Sequence, residues 1–300
     1  MQFSAFGMGK IGALRAMGFK KRIALAMLLG GVLLMSQTGT SIGAMEKSKQ
    51  AHYRLTVVFN NLAGQKGLET SWGFACLVEG PDKTLLFDTG GNGEVLLSNM
   101  TRLGLEFDAI DAVVLSHLHG DHTGGLGAFL SRNSHVTVYM PESFPRSFQE
   151  DVRRFGAGVE TVSEPRQLMP GVYSTGEMGA FIREQALIVD TPEGLVLITG
   201  CAHPNVADMA EQAKQYLGRE IYLLMGGFHL GGQSDAEIQS IIQRLRALGV
   251  EKVAPSHCTG ENAMRRFRRE WGDDFVEGGV GAVLKVPCFS RARDLKNSRH

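Results

Sequence analysis

The sequence predicts an α/β (α+β) fold in which two β-sheets pack against each other and helices cover their outer faces. Three observations carry that expectation. Short apolar runs alternate with amphipathic helical segments from about Tyr53 to Val286. The two halves of that stretch repeat the same style, each rich in strands and each joined to helices. No segment between them has the composition of a linker between separate cores, and 38 glycines suit many tight loops. With 43% hydrophobic and 21% charged residues among 300, the chain is ordinary globular material, long enough for one domain and an appendage.

The elements follow in order. Tyr53–Phe59 is a strand with weak alternation, and Gly73–Glu79 with Lys83–Asp88 reads as a hairpin turned at Gly80-Pro81-Asp82. A helix lies near Glu94–Leu103. The apolar run Asp111–Ser116 is a buried strand, followed by a His-rich loop and a helix to about Ser131. His135–Met140 is a strand closed by Pro141, and Ser143–Phe155 is an amphipathic helix. In the second half, Ile188-Val189 and Leu195–Thr199 are strands around Pro192-Glu193-Gly194. Val206–Leu217 is a helix and Glu220–Met225 a strand. Asp235–Leu248 is a helix, with Ile238, Ile241, Ile242, Leu245 and Leu248 in the 3.6-residue rhythm. Lys252–Pro255 is a short strand, Asn262–Trp271 a helix and Val280–Val286 the last strand. The run Arg265-Arg266-Phe267-Arg268-Arg269 reads as the solvated face of that late helix.

The first 44 residues differ from the rest. Lys20-Lys21-Arg22 precedes the 13-residue apolar core Ile23–Met35, and Ser41-Ile42-Gly43-Ala44 offers a cleavage point after Ala44. That is the pattern of a secretory signal peptide. The core is short for a membrane span, so an uncleaved N-terminal anchor is the competing reading. The expectation is a signal peptide over 1–44, a folded domain over 45–300, and export to a bacterial periplasm. The leader holds Lys10, Arg15, Lys20, Lys21 and Arg22 and no acid. Subtracting those five from 31 basic residues leaves 26 against 31 acidic, a net charge of −5. A mildly acidic body lacks the basic stripe of a nucleic-acid footprint. The expected partner is a small-molecule substrate, with membrane contact only through an uncleaved leader.

The chemistry concentrates in His117-Leu118-His119-Gly120-Asp121-His122. Residues two apart at a strand exit can point to the same side, so His117 and His119 can converge on one ion. Asp121 and His122 then turn toward a second position. Imidazole nitrogens and a carboxylate suit Zn²⁺, Fe or Mn²⁺. Three further histidines follow strands: His203 in Thr199-Gly200-Cys201-Ala202-His203-Pro204, His229 in Gly226-Gly227-Phe228-His229-Leu230, and His257 in Pro255-Ser256-His257-Cys258-Thr259-Gly260. Loops at strand carboxyl ends are where α/β folds place sites.

With Leu86-Phe87-Asp88-Thr89-Gly90 before it, the His-x-His-x-Asp-His motif resembles that of the metallo-β-lactamase superfamily. The motifs after residue 199 are similar to those of the branch of metal-dependent hydrolases related to the dihydropterin–ribofuranosylaminobenzene-phosphate synthase of methanopterin biosynthesis. The resemblance covers roughly residues 53–288. It implies an αββα four-layer sandwich with a one- or two-metal site at one edge of the sheets, and it gives Asp88 a buttressing role. It implies that His117, His119 and His203 hold a first metal and Asp121, His122 and His257 a second, two Zn²⁺ being expected and Fe or Mn the alternatives. One departure stands out. The better-known hydrolases carry a metal-bridging Asp in a Gly-Asp context, where this chain reads Gly200-Cys201. Cys201, Glu184 or water alone could take that place.

The function so implied is hydrolysis of an ester, lactone or phosphoester in a small molecule. Zinc lowers the pKa of its bound water from 15.7 to about 7, which makes a metal-bound hydroxide available as nucleophile. Asp121 would orient it. His229 is a candidate proton donor, oxyanion contact or extra ligand, against a simple packed histidine under Phe228. The alternatives are a metal-dependent transferase or synthase, an exported metal-binding or sensor protein without catalysis, and a diiron redox centre. Cys76, Cys201, Cys258 and Cys288 leave disulfides open. Trp72 is expected to pack in the core or at the rim, and Asn60-Asn61 reads as a turn signal.

Overall fold

Successive residues of the central strands bury their side chains on opposite faces, which is what forces a layered molecule. In the strand Gly194–Thr199, Val196 and Ile198 enter one apolar cluster, while Leu195 and Leu197 enter another. In Thr84–Phe87, Leu85 and Phe87 share the first cluster and Leu86 belongs to a third. A strand with period two and no polar face has to be covered on both sides. The computed structural model describes residues 52–289, so the leader expected over 1–44 lies outside the described residues.

The elements are β1 His52–Asn60, β2 Phe74–Glu79, β3 Thr84–Phe87, α1 Gly93–Arg102, β4 Ala112–Val114, α2 Gly120–Thr123, α3 Leu126–Leu130, β5 Thr137–Pro141, α4 Arg146–Arg154, β6 Gly158–Val162, β7 Arg166–Met169, β8 Val172–Ser174, β9 Leu187–Thr191, β10 Gly194–Thr199, α5 Val206–Leu217, β11 Ile221–Gly227, α6 Asp235–Ala247, β12 Lys252–Ser256, α7 Glu261–Trp271 and β13 Val283–Pro287. One sheet runs β13-β1-β2-β3-β4-β5-β6 and the other β12-β11-β10-β9-β8-β7. The central apolar cluster lies between them. The second cluster joins the β9–β12 sheet to α5, α6 and α7, and the third joins the other sheet to α1, α3 and α4. The order of layers is α, β, β, α, as the resemblance implied.

The two longest helices have local causes at their ends. Ser234 and Glu237 close a reciprocal capping box at the start of α6, and Asn205 caps α5 through Ala207 N–H. The α5 helix ends at Gly218, whose left-handed φ of +63° glycine adopts without strain. Among the described residues no helix is long and apolar enough to cross a membrane.

Two expectations are corrected. Residues 158–174, unassigned from sequence, form β6 and β7, an edge strand of each sheet, and β8 beside β7. Their runs are short and buried residues are interspersed with exposed and half-buried ones, so no apolar stripe marks them. The single helix expected after the His-rich loop is two, and the first turn, α2, already carries Asp121 and His122.

Within each sheet the neighbours β3-β4-β5-β6 and β10-β11-β12 run parallel. The carboxyl ends of β3, β4, β10, β11 and β12 lead into the segments that carry every candidate site residue except Glu184, which precedes β9.

Candidate metal centre

Five non-glycine residues among those described have positive φ: Asp88, Ala202, Asn205, His229 and His257. All follow β3, β10, β11 or β12. Left-handed backbone in such residues costs about 1–3 kcal/mol each and persists where the surroundings over-determine it. The strain gathers around one cluster.

His117, His119 and His203 bring one ring nitrogen each within 4.8 Å of one another, and Asp121, His122, Cys201 and His257 form a second such group. The ring centroids of His117 and His122 are 4.2 Å apart, which joins the groups. Of the six expected ligands, all six are here, divided as the motif divided them. His229 lies against His203 with the rings tilted by 49° and 4.4 Å between centroids and, with Cys201 and His203, makes a third overlapping group.

Most of these rings are held from behind. Asp88 accepts from the Ser116 backbone N–H at 2.7 Å, from Ser116 Oγ at 2.7 Å and from His122 Nδ1 at 2.7 Å. Ser116 Oγ, having given its proton to Asp88, accepts from His117 Nδ1 at 2.9 Å. Glu184 accepts from His203 Nδ1 at 2.8 Å, and Asn61 Oδ1 from His257 Nδ1 at 2.9 Å. An acceptor on one nitrogen fixes the tautomer and leaves the other with its lone pair turned to the centre. His117 Nε2 accordingly faces His119 Nδ1 at 3.1 Å. His257 Nε2 is buried without a hydrogen-bond partner, 3.1 Å from Asp121 Oδ2 but without bonding geometry. A buried polar atom left so is costly, and a divalent cation among these donors would satisfy it. The residues therefore fit the metal that the motif implies.

Electrostatics agree. Burial pushes His117 down to about 3 and His122 down to about 4, each helped by neighbouring imidazoles. His119 is lowered by burial and by His203. Neutral imidazoles are the ligating form. Burial works against the charge on Asp121, but its contacts with His257 and His122 more than offset this and hold the carboxyl below the usual range. His117, His122, Cys201 and His257 form the buried floor, whereas His119 and His229 are exposed at the mouth.

A superfamily model described as metallo-beta-lactamase matches residues 73–257, a span that includes all six candidate ligands. The chain belongs to the metallo-beta-lactamase superfamily. Among curated relatives it is 30% identical over 262 residues to the 7,8-dihydropterin-6-methyl-4-(beta-D-ribofuranosyl)-aminobenzene-5'-phosphate synthase of Methanocaldococcus jannaschii, covering 71% of this chain and 89% of that one. Among solved structures it matches Tm1679, described as a metal-dependent hydrolase of the beta-lactamase superfamily, with 29% identity and a TM-score of 0.67 over 79% of this chain and 100% of that one. The metallo-beta-lactamase fold protein YhfI from Bacillus subtilis shares the fold, with 16% identity and a TM-score of 0.60 over 79% of this chain and 100% of that one.

Against this superfamily frame, several sequence expectations change. Glu184 is no candidate bridge, because all of its oxygens are engaged: Oε1 accepts the backbone N–H of Cys201 and Ala202, and Oε2 that of His203 as well as its ring. His229 does not pack under Phe228, which is buried beneath it, but stands at the mouth. It makes a hydrogen bond with Cys258, which raises the proton affinity of its ring against the opposing effect of burial. Asn61, read as a turn residue, orients His257, and Ser116, unremarked in sequence, orients His117. No disulfide joins cysteines among the described residues. Of the two places expected for Trp72, the core is excluded and the rim remains: it is 57% exposed, and its ring lies 4.8 Å from that of His257. It borders a cleft of about 560 Å³ lined also by Leu62, Met264, Arg265 and Arg268. A second, smaller cleft of about 290 Å³ opens on the His203–His229 side.

Proposed function

We propose that the chain is a metal-dependent hydrolase of small molecules, holding two zinc ions and acting on an ester, lactone or phosphoester bond. The observation that carries this reading is the set of six ligand-type side chains in two adjoining groups, with His117, His122, His203 and His257 anchored through their far nitrogens. His117, His119 and His203 would hold one ion, and Asp121, His122 and His257 the other. Such ions supply Lewis acidity, which makes water a competent nucleophile at neutral pH and stabilises developing negative charge.

The protein's own groups divide the remaining work. Asp121, its carboxyl held below the usual range and partly open to solvent, can accept a proton from the attacking water and orient it. His229 stands at the mouth with a raised proton affinity, suited to protonating the leaving oxygen. The larger cleft offers the flat face of Trp72 beside two guanidinium groups, which suits a substrate with an apolar or aromatic body. The likeness to a structure described as a metal-dependent hydrolase supports this reading. Export through the leader belongs to the same proposal, and N-terminal sequencing of protein from fractionated cells tests it by looking for a chain that begins after Ala44.

The 30% identity to a synthase favours one second reading, a transferase in which the same ions activate a leaving group. The two separate by assay. Protein purified without added metal should contain two zinc ions per chain and turn over a member of a phosphodiester, aryl ester and lactone panel. His119→Ala should lose that turnover with an unchanged circular dichroism spectrum. Equal turnover in that variant would reject the mechanism. Bound metal with no turnover, but pyrophosphate release when a diphosphate ester meets an amine, would favour the transferase.

A further inference from the structure

We propose that Cys201 is a metal ligand: its thiolate occupies the position between the two cations that the reading above assigns, and on which this inference rests. Four observations converge on that sulfur. It belongs to two of the groups, meeting Asp121, His122 and His257 in one and His203 and His229 in the other, with all donor atoms of each group within 4.8 Å, and His203 in turn links it to the His117–His119 group. Its Sγ lies 3.2 Å from His122 Nε2, the nitrogen that faces the centre. The side chain is 3% exposed, so it is directed inward and away from solvent. The competing carboxylate, Glu184, has no lone pair aimed at the centre, since its oxygens hold three consecutive backbone N–H groups and the His203 ring.

The turn that presents the sulfur is rigid. Glu184 fixes the amides of Cys201, Ala202 and His203 together, and Ala202 is held at a φ of +62°. Gly200 precedes it where a Cβ would come within 2.1 Å of Ser116 Oγ, so only glycine lets β10 approach the Asp88–Ser116 pair so closely. The chain thus spends two unusual backbone positions on aiming one side chain. Cys258 does not compete for the role. Its sulfur contacts the thiol of Cys201, the carbonyl of the same residue at 3.7 Å and the ring of His229, and it is in none of the three donor groups.

Ligation needs no oxidant. The Sγ–H bond of Cys201 breaks, its proton passes to solvent, and the sulfur electron pairs form bonds to the two cations. Sulfur in that place makes the centre softer than one bridged by a carboxylate, favouring Zn²⁺, Co²⁺ or Fe²⁺ over Mn²⁺ and Mg²⁺.

Cobalt substitution tests this without any substrate. The metal-stripped protein, refilled with Co²⁺, should show an intense near-ultraviolet sulfur-to-cobalt charge-transfer band beside the visible ligand-field bands. The Cys201→Ser variant should lose the near-ultraviolet band and Cys258→Ser should keep it. Wild-type protein that takes up cobalt, with visible bands but no sulfur band, would overturn the thiolate while leaving the metal centre standing. So would a band kept in Cys201→Ser and lost in Cys258→Ser. A wild-type chain that takes up no cobalt or zinc would overturn the metal centre itself, and the thiolate with it. Should Cys201→Ser fail to fold, the wild-type and Cys258→Ser spectra still decide the matter.

Discussion

Glu184 is the residue on which one side of the centre turns. Its carboxylate is wholly buried and meets only donors: three amides and the Nδ1–H of His203. Replacing it with glutamine keeps the shape but must turn an NH₂ group toward some of those donors. Each buried donor left unpaired costs about 1–3 kcal/mol. Glu184→Gln should therefore lower the denaturation midpoint and also reduce the metal content at the His117–His119–His203 position. A variant with native stability and full metal content would show that the carboxylate orients nothing. Residues of this kind are where sequence reading runs out. His117, His119, Asp121 and His122 were legible because six consecutive residues carry the pattern, and His203 and His257 because each follows an apolar strand. Ser116 and Asn61 were not legible, being common residue types whose role depends on partners such as Asp88 and, 196 positions away, His257. Glu184 stayed one of three options for the bridge in the sequence, since spacing cannot tell a carboxylate that binds amides from one that binds a cation.

At the scale of elements, the apolar strands of both sheets and the helices α5, α6 and α7 stood where their periodicities put them, and the expected hairpin joins β2 to β3. The short strands β6, β7 and β8, at or next to a sheet edge, did not stand out, because a strand of few residues with a partly solvated face carries little apolar signal. The turn after β10 makes the sharpest prediction here. A methyl group on Gly200 would meet Ser116 Oγ at 2.1 Å and Asp88 Oδ2 at 2.9 Å. Neither can retreat, because each is hydrogen-bonded to the other and to its neighbours. Gly200→Ala should cost about 1–3 kcal/mol, the usual penalty for overfilling a packed interior. It should also displace Cys201 and His203, which follow on the same turn. Urea denaturation and metal analysis of one sample test both halves, and a variant with an unchanged midpoint would mean that β10 can slide away from β4.

For the whole molecule, the centre is a seam between the two sheets. His117, His119, Asp121 and His122 follow β4 of one, while His203, His229 and His257 follow β10, β11 and β12 of the other. Without metal, that seam stacks buried neutral imidazoles, and its stability should depend on pH. His117 is pushed down to about 3 in the folded chain, chiefly by burial, from 6.5 when free. Between those values the unfolded chain takes up a proton that the folded chain refuses, so stability is present above about 6.5 and falls as pH drops through the window. For one such proton the slope is about 1.4 kcal/mol per pH unit. His122, pushed down to about 4 by burial, acts in the same direction, while Asp88, pushed up to about 7 by burial, acts in the opposite one. A comparison that isolates His117 is therefore the decisive one. In chelator-treated protein, wild type should lose stability relative to His117→Gln as pH is lowered from 7 to 5, measured by urea midpoints at each pH. If the difference between the two chains stays constant over that range, the His117 ring takes up its proton as readily in the folded protein as in the unfolded chain. The buried floor of the centre would then be open to water.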